Sequence, residues 1–173
     1  MFNIVLNRLF VTQWAGYSFI LGLVTVFIAY FFNIPLLYPV AFVLLTNAFD
    51  LIGYGNIQQI ISEYDPLLYG STVFYYRIIQ KLFNWLLVGL IWSITGNWII
   101  ALGCLFANFG GFQDVLYYLF GRYNFNQNYT WLKWTPLGML IGDLNKWEFI
   151  TQGIVSFGMV ITALIIIIIG GIG

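Results

Sequence analysis

The chain has 173 residues, of which 61% are hydrophobic and only 7% charged, against about 25% charged in an ordinary soluble domain. Its formal net charge is zero, which removes the case for nucleic acid, and no basic tract or Gly-rich phosphate loop restores it. So few charges cannot cover a water-facing surface. Lipid is therefore the expected solvent, and a single membrane-embedded helical domain over residues 1–173 the expected organisation.

The first apolar block runs from about Leu9 to Phe32, enough to cross a bilayer core that needs about 20 residues. Its length reads as a signal-anchor, since the apolar part of a cleaved signal spans only about 7–15 residues. Asn33-Ile34-Pro35 turns the chain, because Pro35 pushes the residue before it out of helical conformation. A second span is expected from about Leu36 to Tyr54, then a more polar loop with a short interfacial helix from Gly55 to Tyr75. The third span is expected from Tyr76 to Thr95, closed by the turn Thr95-Gly96-Asn97. The fourth runs from Trp98 to Gly121, and a long connection from Arg122 to Trp147 leads to the fifth, Phe149 to Gly171. The expected fold class is accordingly all-α, a polytopic bundle of five transmembrane helices.

Charge placement orients that bundle. With five spans, the N-terminal tail and the connections Gly55–Tyr75 and Arg122–Trp147 share one side. All six basic residues, Arg8, Arg77, Lys81, Arg122, Lys133 and Lys146, lie there or at its membrane edge. The positive-inside rule makes that side cytoplasmic, which puts the N-terminus in the cytoplasm and the C-terminus outside. Tyr75, Tyr76, Tyr117, Tyr118, Trp131, Trp134 and Trp147 cluster at the same edge, and Trp98 at the other, as aromatic rings do at headgroup level. The sequon Asn128-Tyr129-Thr130 would then face the cytoplasm and stay unmodified.

There is no histidine and one cysteine, Cys104, inside an apolar run. A lone buried cysteine behaves as a small hydrophobe. The missing histidine removes the commonest ligand for haem, zinc and copper and the default proton shuttle near neutral pH. No metal and no other cofactor is expected.

Ionisable groups inside a membrane are costly and point to function. Asp50 lies roughly 6 Å, and Asp114 roughly 9–10 Å, inside the cytoplasmic ends of the second and fourth spans at the α-helical rise. Antiparallel threading brings Arg77, Gln80, Lys81 and Asn84 to similar depth, with Gln13, Asn47, Asn108, Gln113 and Gln152 completing a polar layer in the cytoplasmic half. The candidate ligand-binding residues are Asp50, Asp114, Gln113, Asn47, Asn84 and Gln80, with Arg77 and Lys81 as charge partners. Three readings stay open: direct ion pairs with interhelical amide bonds, an acid–base carboxylate pair, or a cavity open to the cytoplasm. The dry outer half argues against a continuous channel. Gly110-Gly111, just before Asp114, would let a helix or a ligand approach the backbone closely.

Asp114-Val115-Leu116-Tyr117-Tyr118-Leu119, at the end of the fourth of five spans, resembles a stretch in the emopamil-binding protein and sterol isomerase family, as Glu63-Tyr64 resembles its acidic-Tyr segment after the second span. The resemblance implies a five-span fold with an intramembrane cavity for sterol-like or cationic amphiphilic ligands. Where the isomerases of that family carry a histidine and a glutamate in the second span, this chain has Asn47 and Asp50. The resemblance therefore extends to ligand binding rather than to double-bond isomerisation.

Two functions are expected from this pattern. One is a membrane protein holding a lipid-like or amphiphilic ligand in a cytoplasm-facing cavity around Asp50, Asp114 and Gln113, with membrane lipids as its partners. The other is a non-catalytic accessory subunit of a larger membrane complex or homo-oligomer. A catalytic role stays open, with a non-catalytic one favoured, and no catalytic residue is named. A transporter is disfavoured by the short chain and the missing internal repeat.

Overall fold

The computed structural model describes residues 2–55, 57, 66–121, 124–129, 132, 133 and 135–170, the side chains of residues 2–12, 66 and 67 excepted. In chain order the helices are α1 (Phe2–Phe31), α2 (Leu37–Ile52), α3 (Pro66–Thr95), α4 (Trp98–Phe109), α5 (Phe112–Gly121), α6 (Pro136–Ile141) and α7 (Lys146–Ile169). Two short strands, β1 (Asn128–Tyr129) and β2 (Leu144–Asn145), pair antiparallel before α7.

Local chemistry sets the helix ends. Asn33 adopts a left-handed backbone, φ 51°, which an Asn tolerates better than most residues, and it closes the turn between α1 and α2. At the α3–α4 turn, Gly96 has φ 64° and Asn97 caps α4, its Oδ1 accepting from the Ile99 N–H at 2.9 Å. The start of α7 is a capping box. Asn145 Oδ1 accepts from the Trp147 and Glu148 N–H groups while Glu148 Oε2 accepts from the Asn145 N–H.

Helices α1, α3 and α7 are each long and apolar enough to cross a membrane, and α4 with α5 makes a fourth if that bent pair is taken as one span. The second expected span, α2, is apolar but only 16 residues long, short of the ~20 needed to cross a core. Helical backbone continues beyond Ile52 at residues 54, 55 and 57, with the Ile57 N–H donating to Gly53 O at 3.0 Å.

Three expectations are corrected. Helix α3 begins at Pro66 rather than near Tyr76, so the second half of the expected Gly55–Tyr75 loop is helix; proline suits a first helical turn because its missing N–H would have no partner there. Residues 58–65, with the expected interfacial helix and Glu63, lie outside the described residues. At 30 residues, α3 is roughly 45 Å long, more than a bilayer core of about 30 Å requires.

The fourth span is not continuous. It breaks at Gly110-Gly111 and α5 leaves α4 at 58°. Gly111 has φ 81°, a conformation open mainly to glycine, and the backbone at Gly110 lies so close to Ser156 of α7 that a Cβ there would overlap it.

The Arg122–Trp147 connection is likewise more than a loop. It holds α6 and the β1–β2 pair, with Asn128 opposite Asn145 and Tyr129 opposite Leu144. Tyr129, Leu132 and Leu144 are fully buried against Phe149 and Val115. At the opposite end of the bundle, Ala29, Tyr38, Phe42, Ile91, Ile100 and Cys104 belong to another buried core cluster. Helices α1 and α2 pack tightly, with Leu45 seated over Gly22.

Candidate functional site

Asp50 is buried and joins three helices. Tyr76 Oη of α3 donates to its Oδ1 at 2.5 Å, and Gln80 Nε2, one turn further on, donates to Oδ1 at 2.6 Å and to Oδ2 at 2.8 Å. From α5, Gln113 Nε2 donates to Oδ2 and to the Thr46 carbonyl at 3.3 Å. These contacts match the roughly four lone-pair directions of a carboxylate. All the donors are neutral.

The bare geometry of α2 allows this arrangement. The Tyr76 ring lies over Gly53, where a Cβ would overlap it, and stacks on Phe49 with centroids 5.7 Å apart. Phe49 in turn stacks on Phe83 at 4.5 Å. Tyr76 and Gln80 are four residues apart on α3 and so share one face.

The expected charge partners do not pair with Asp50 directly. Arg77 Nη1 donates to Gln80 Oε1 at 2.9 Å, and its guanidinium lies 4.9 Å from the Tyr54 ring centroid, a cation–π distance. Its field reaches both Asp50 and Asp114, but through the Gln80 amide on the Asp50 side. Lys81 is exposed. Among the described residues the ion pair is Lys133–Asp143 at 3.0 Å, on the surface, where such pairs contribute little.

Asp114 is placed differently. It stands in the first turn of α5, where a negative charge suits the helix dipole, and is half-buried. Among the described residues its carboxylate has no hydrogen bond and no ion pair. Its Oδ2 lies 3.9 Å from where a Gly111 side chain would begin, beside Phe149 and Gln152. Gln152 holds the break together, its Nε2 donating to the Gly110 carbonyl at 3.1 Å and its Oε1 accepting from the Leu137 N–H at 2.8 Å.

Of the remaining candidates, Asn47 donates from Nδ2 to Ser18 Oγ at 3.4 Å. The Oδ1 atoms of Asn47, Asn84 and Asn108 are buried without a hydrogen-bond partner among the described residues. The structure thus brings Asp50, Gln80 and Gln113 into direct contact, with Arg77 one bond away. Asn47 faces α1 through Ser18, and Asp114 stands apart at the helix break.

A cleft of about 580 Å³ lies between α4 and α7, within the usual size of a small-molecule site. Leu102, Phe106, Met159 and Ala163 line its length, and Gly110, Ser156 and Pro136 stand toward the helix break. Asp50, Gln113 and Asp114 are not part of its lining; Asp114 lies beyond it, on the far side of the Gly110-Gly111 break. The sequence offers no sign of this cleft, because its walls are apolar positions indistinguishable from a lipid-facing surface. Among the described residues no group of three His, Cys, Asp or Glu side chains could hold a metal ion.

No protein-family model, curated protein or solved structure matches this chain.

Proposed function

We propose that this chain crosses the membrane five times, N-terminus in the cytoplasm and C-terminus outside, and holds a lipid-like or amphiphilic molecule, its apolar part in the α4–α7 cleft and its polar head at Asp114. Five crossings count the short α2 with its continuation past Ile52 as one span and the bent α4–α5 pair as another. The grouping of all six basic residues on one side supports that count and its orientation.

The observation that carries the ligand reading is the position of Asp114. Its carboxylate, unpaired among the described residues, sits at the Gly110-Gly111 break, and Gly110 also lines the cleft. A carboxylate accepts hydrogen bonds only, so it favours a head that donates them, a hydroxyl or an amine. Broken helices beside buried sites are a recurrent way to expose polar groups at membrane depth. The resemblance of Asp114–Leu119 to the emopamil-binding protein and sterol isomerase family supports the same ligand class. Asp50, with its lone pairs taken by protein donors, joins the helices beneath the site. The test is binding of a long-chain amine in phosphatidylcholine nanodiscs by the wild type, by Asp114→Asn, and by Ala163→Phe, which puts a ring into the cleft; both variants should weaken it.

A second reading, an accessory subunit of a larger complex or a homo-oligomer, is favoured by α3. Phe74, Leu82, Trp85 and Trp92 of that helix are all exposed, a stripe suited to another helix. Crosslinking in native membranes tests it; a chain that stays monomeric there contradicts it.

A further inference from the structure

We propose a second binding site at the opposite end of the bundle, for an uncharged, hydroxyl-rich group such as a sugar ring, in the cavity between the α1–α2 and α3–α4 turns. It does not depend on the cleft reading. The cavity holds about 360 Å³, near the lower end for small-molecule sites. Tyr30, Tyr38, Asn33, Thr95 and Asn97 line it, closed on one side by Ile168 of α7.

Tyr38 is the decisive residue. It is 4% exposed and packed in the core cluster, yet its hydroxyl has no hydrogen-bond partner among the described residues and is not among the sealed unpaired atoms. The small part of Tyr38 left open therefore includes its hydroxyl, at the cavity wall. Asn97 commits its Oδ1 to capping α4, which leaves its amide N–H groups as donors. Asn33, held by its left-handed backbone, presents a second amide.

The chemistry of this lining selects the ligand. Among the described residues no charged side chain lines the cavity, so a phosphate or carboxylate would surrender hydration there without a counter-charge from them. The exposed Tyr30 ring offers an apolar face for the C–H side of a sugar ring. The Tyr30 and Tyr38 hydroxyls join the two amides as hydrogen-bonding groups, with Thr95 Oγ1, whose proton goes to the Ile91 carbonyl, left as an acceptor. That combination fits a sugar, carried on a lipid or free in solution.

The experiment uses the full chain in phosphatidylcholine nanodiscs containing a minor fraction of monoglucosyl diacylglycerol. Mass spectrometry then measures the enrichment of the glucolipid over phosphatidylcholine in the lipid retained by the protein, and saturation-transfer NMR reads binding of free methyl β-glucoside. Tyr38→Phe keeps the packed ring and removes only the hydroxyl; Asn33→Gly keeps the left-handed turn and removes the amide. Enrichment in the wild type that falls about two- to tenfold in each variant, the worth of one neutral hydrogen bond, supports a lipid-borne sugar. A methyl β-glucoside signal lost in the variants, without lipid enrichment, supports the site with a free sugar as its ligand. Neither enrichment nor signal in the wild type, or values unchanged in both variants with the fold intact by thermal melting, overturns the proposal.

Discussion

The Tyr76 ring lies directly over Gly53, so close that any side chain at position 53 would overlap it. That approach is what lets the phenol reach Asp50 at 2.5 Å. Tyr76→Phe should destabilise the bundle by about 1–3 kcal/mol, the worth of a hydrogen bond to a carboxylate. Gly53→Ala should cost at least as much, because the ring is pinned between Phe49 and Asp50 and cannot swing aside freely. In a Tyr76→Ala background Gly53→Ala should cost far less. Unfolding in detergent micelles measures all three, and equal Gly53→Ala penalties in both backgrounds would show that the ring is not the cause.

The break in the fourth span makes a separate prediction. Gly111→Ala places a Cβ at φ 81°, a left-handed strain of roughly 1–2 kcal/mol, whereas Gly110→Ala meets Ser156 instead. Ser156→Gly should therefore relieve Gly110→Ala and leave Gly111→Ala unrelieved. Thermal melting of the single and double variants checks this, and relief of both by Ser156→Gly would contradict the assignment.

Topology can be read from two positions that the five-crossing count puts on opposite sides. Ile34 lies in the α1–α2 turn and is 40% exposed; the Lys133 side chain is 61% exposed in the connection before α7. With the buried Cys104 replaced by alanine, a membrane-impermeant maleimide applied to intact cells should label Ile34→Cys. Lys133→Cys should label only after permeabilisation. The reverse pattern would invert the orientation, and labelling of both from one side would remove a crossing, most directly α2.

Much of the framework was legible because lipid-length apolar runs and turn residues are local signals. Asn33-Ile34-Pro35 and Thr95-Gly96-Asn97 both mark real helix ends. The start of α3 was hidden because Gly70, Ser71 and Thr72 among its first turns look like loop chemistry. Gly110-Gly111 was visible as a point of close approach, and Ser156 makes it, but the bend itself depends on how α5 packs on α7. Gln80 and Gln113 were identified as belonging with Asp50, whereas Tyr76 was read as part of an interfacial belt; its spacing of four from Gln80 was the available signal. A direct ion pair of Asp50 with Arg77 or Lys81 was one of three readings left open by depth alone; Gln80 stands between Asp50 and Arg77 instead and meets both groups. Burial of Tyr129 and Leu144 beneath the connection arises from contacts with Phe149 and Val115 that no local pattern encodes.

The central claim separates the two intramembrane carboxylates: Asp50 joins helices and Asp114 holds a ligand head. The most direct measurement is the Kd of a fluorescent long-chain amine for the protein in phosphatidylcholine nanodiscs, taken together with the melting temperature of each variant. Asp114→Asn should weaken binding about 10- to 100-fold, the equivalent of the ~1.5–3 kcal/mol of a charged hydrogen bond, with melting close to wild type. Asp50→Asn should instead lower the melting temperature, since its amide N–H2 would face the Gln80 and Gln113 donors. An unchanged Kd in Asp114→Asn, or a melting temperature that falls as far there as in Asp50→Asn, would contradict the account.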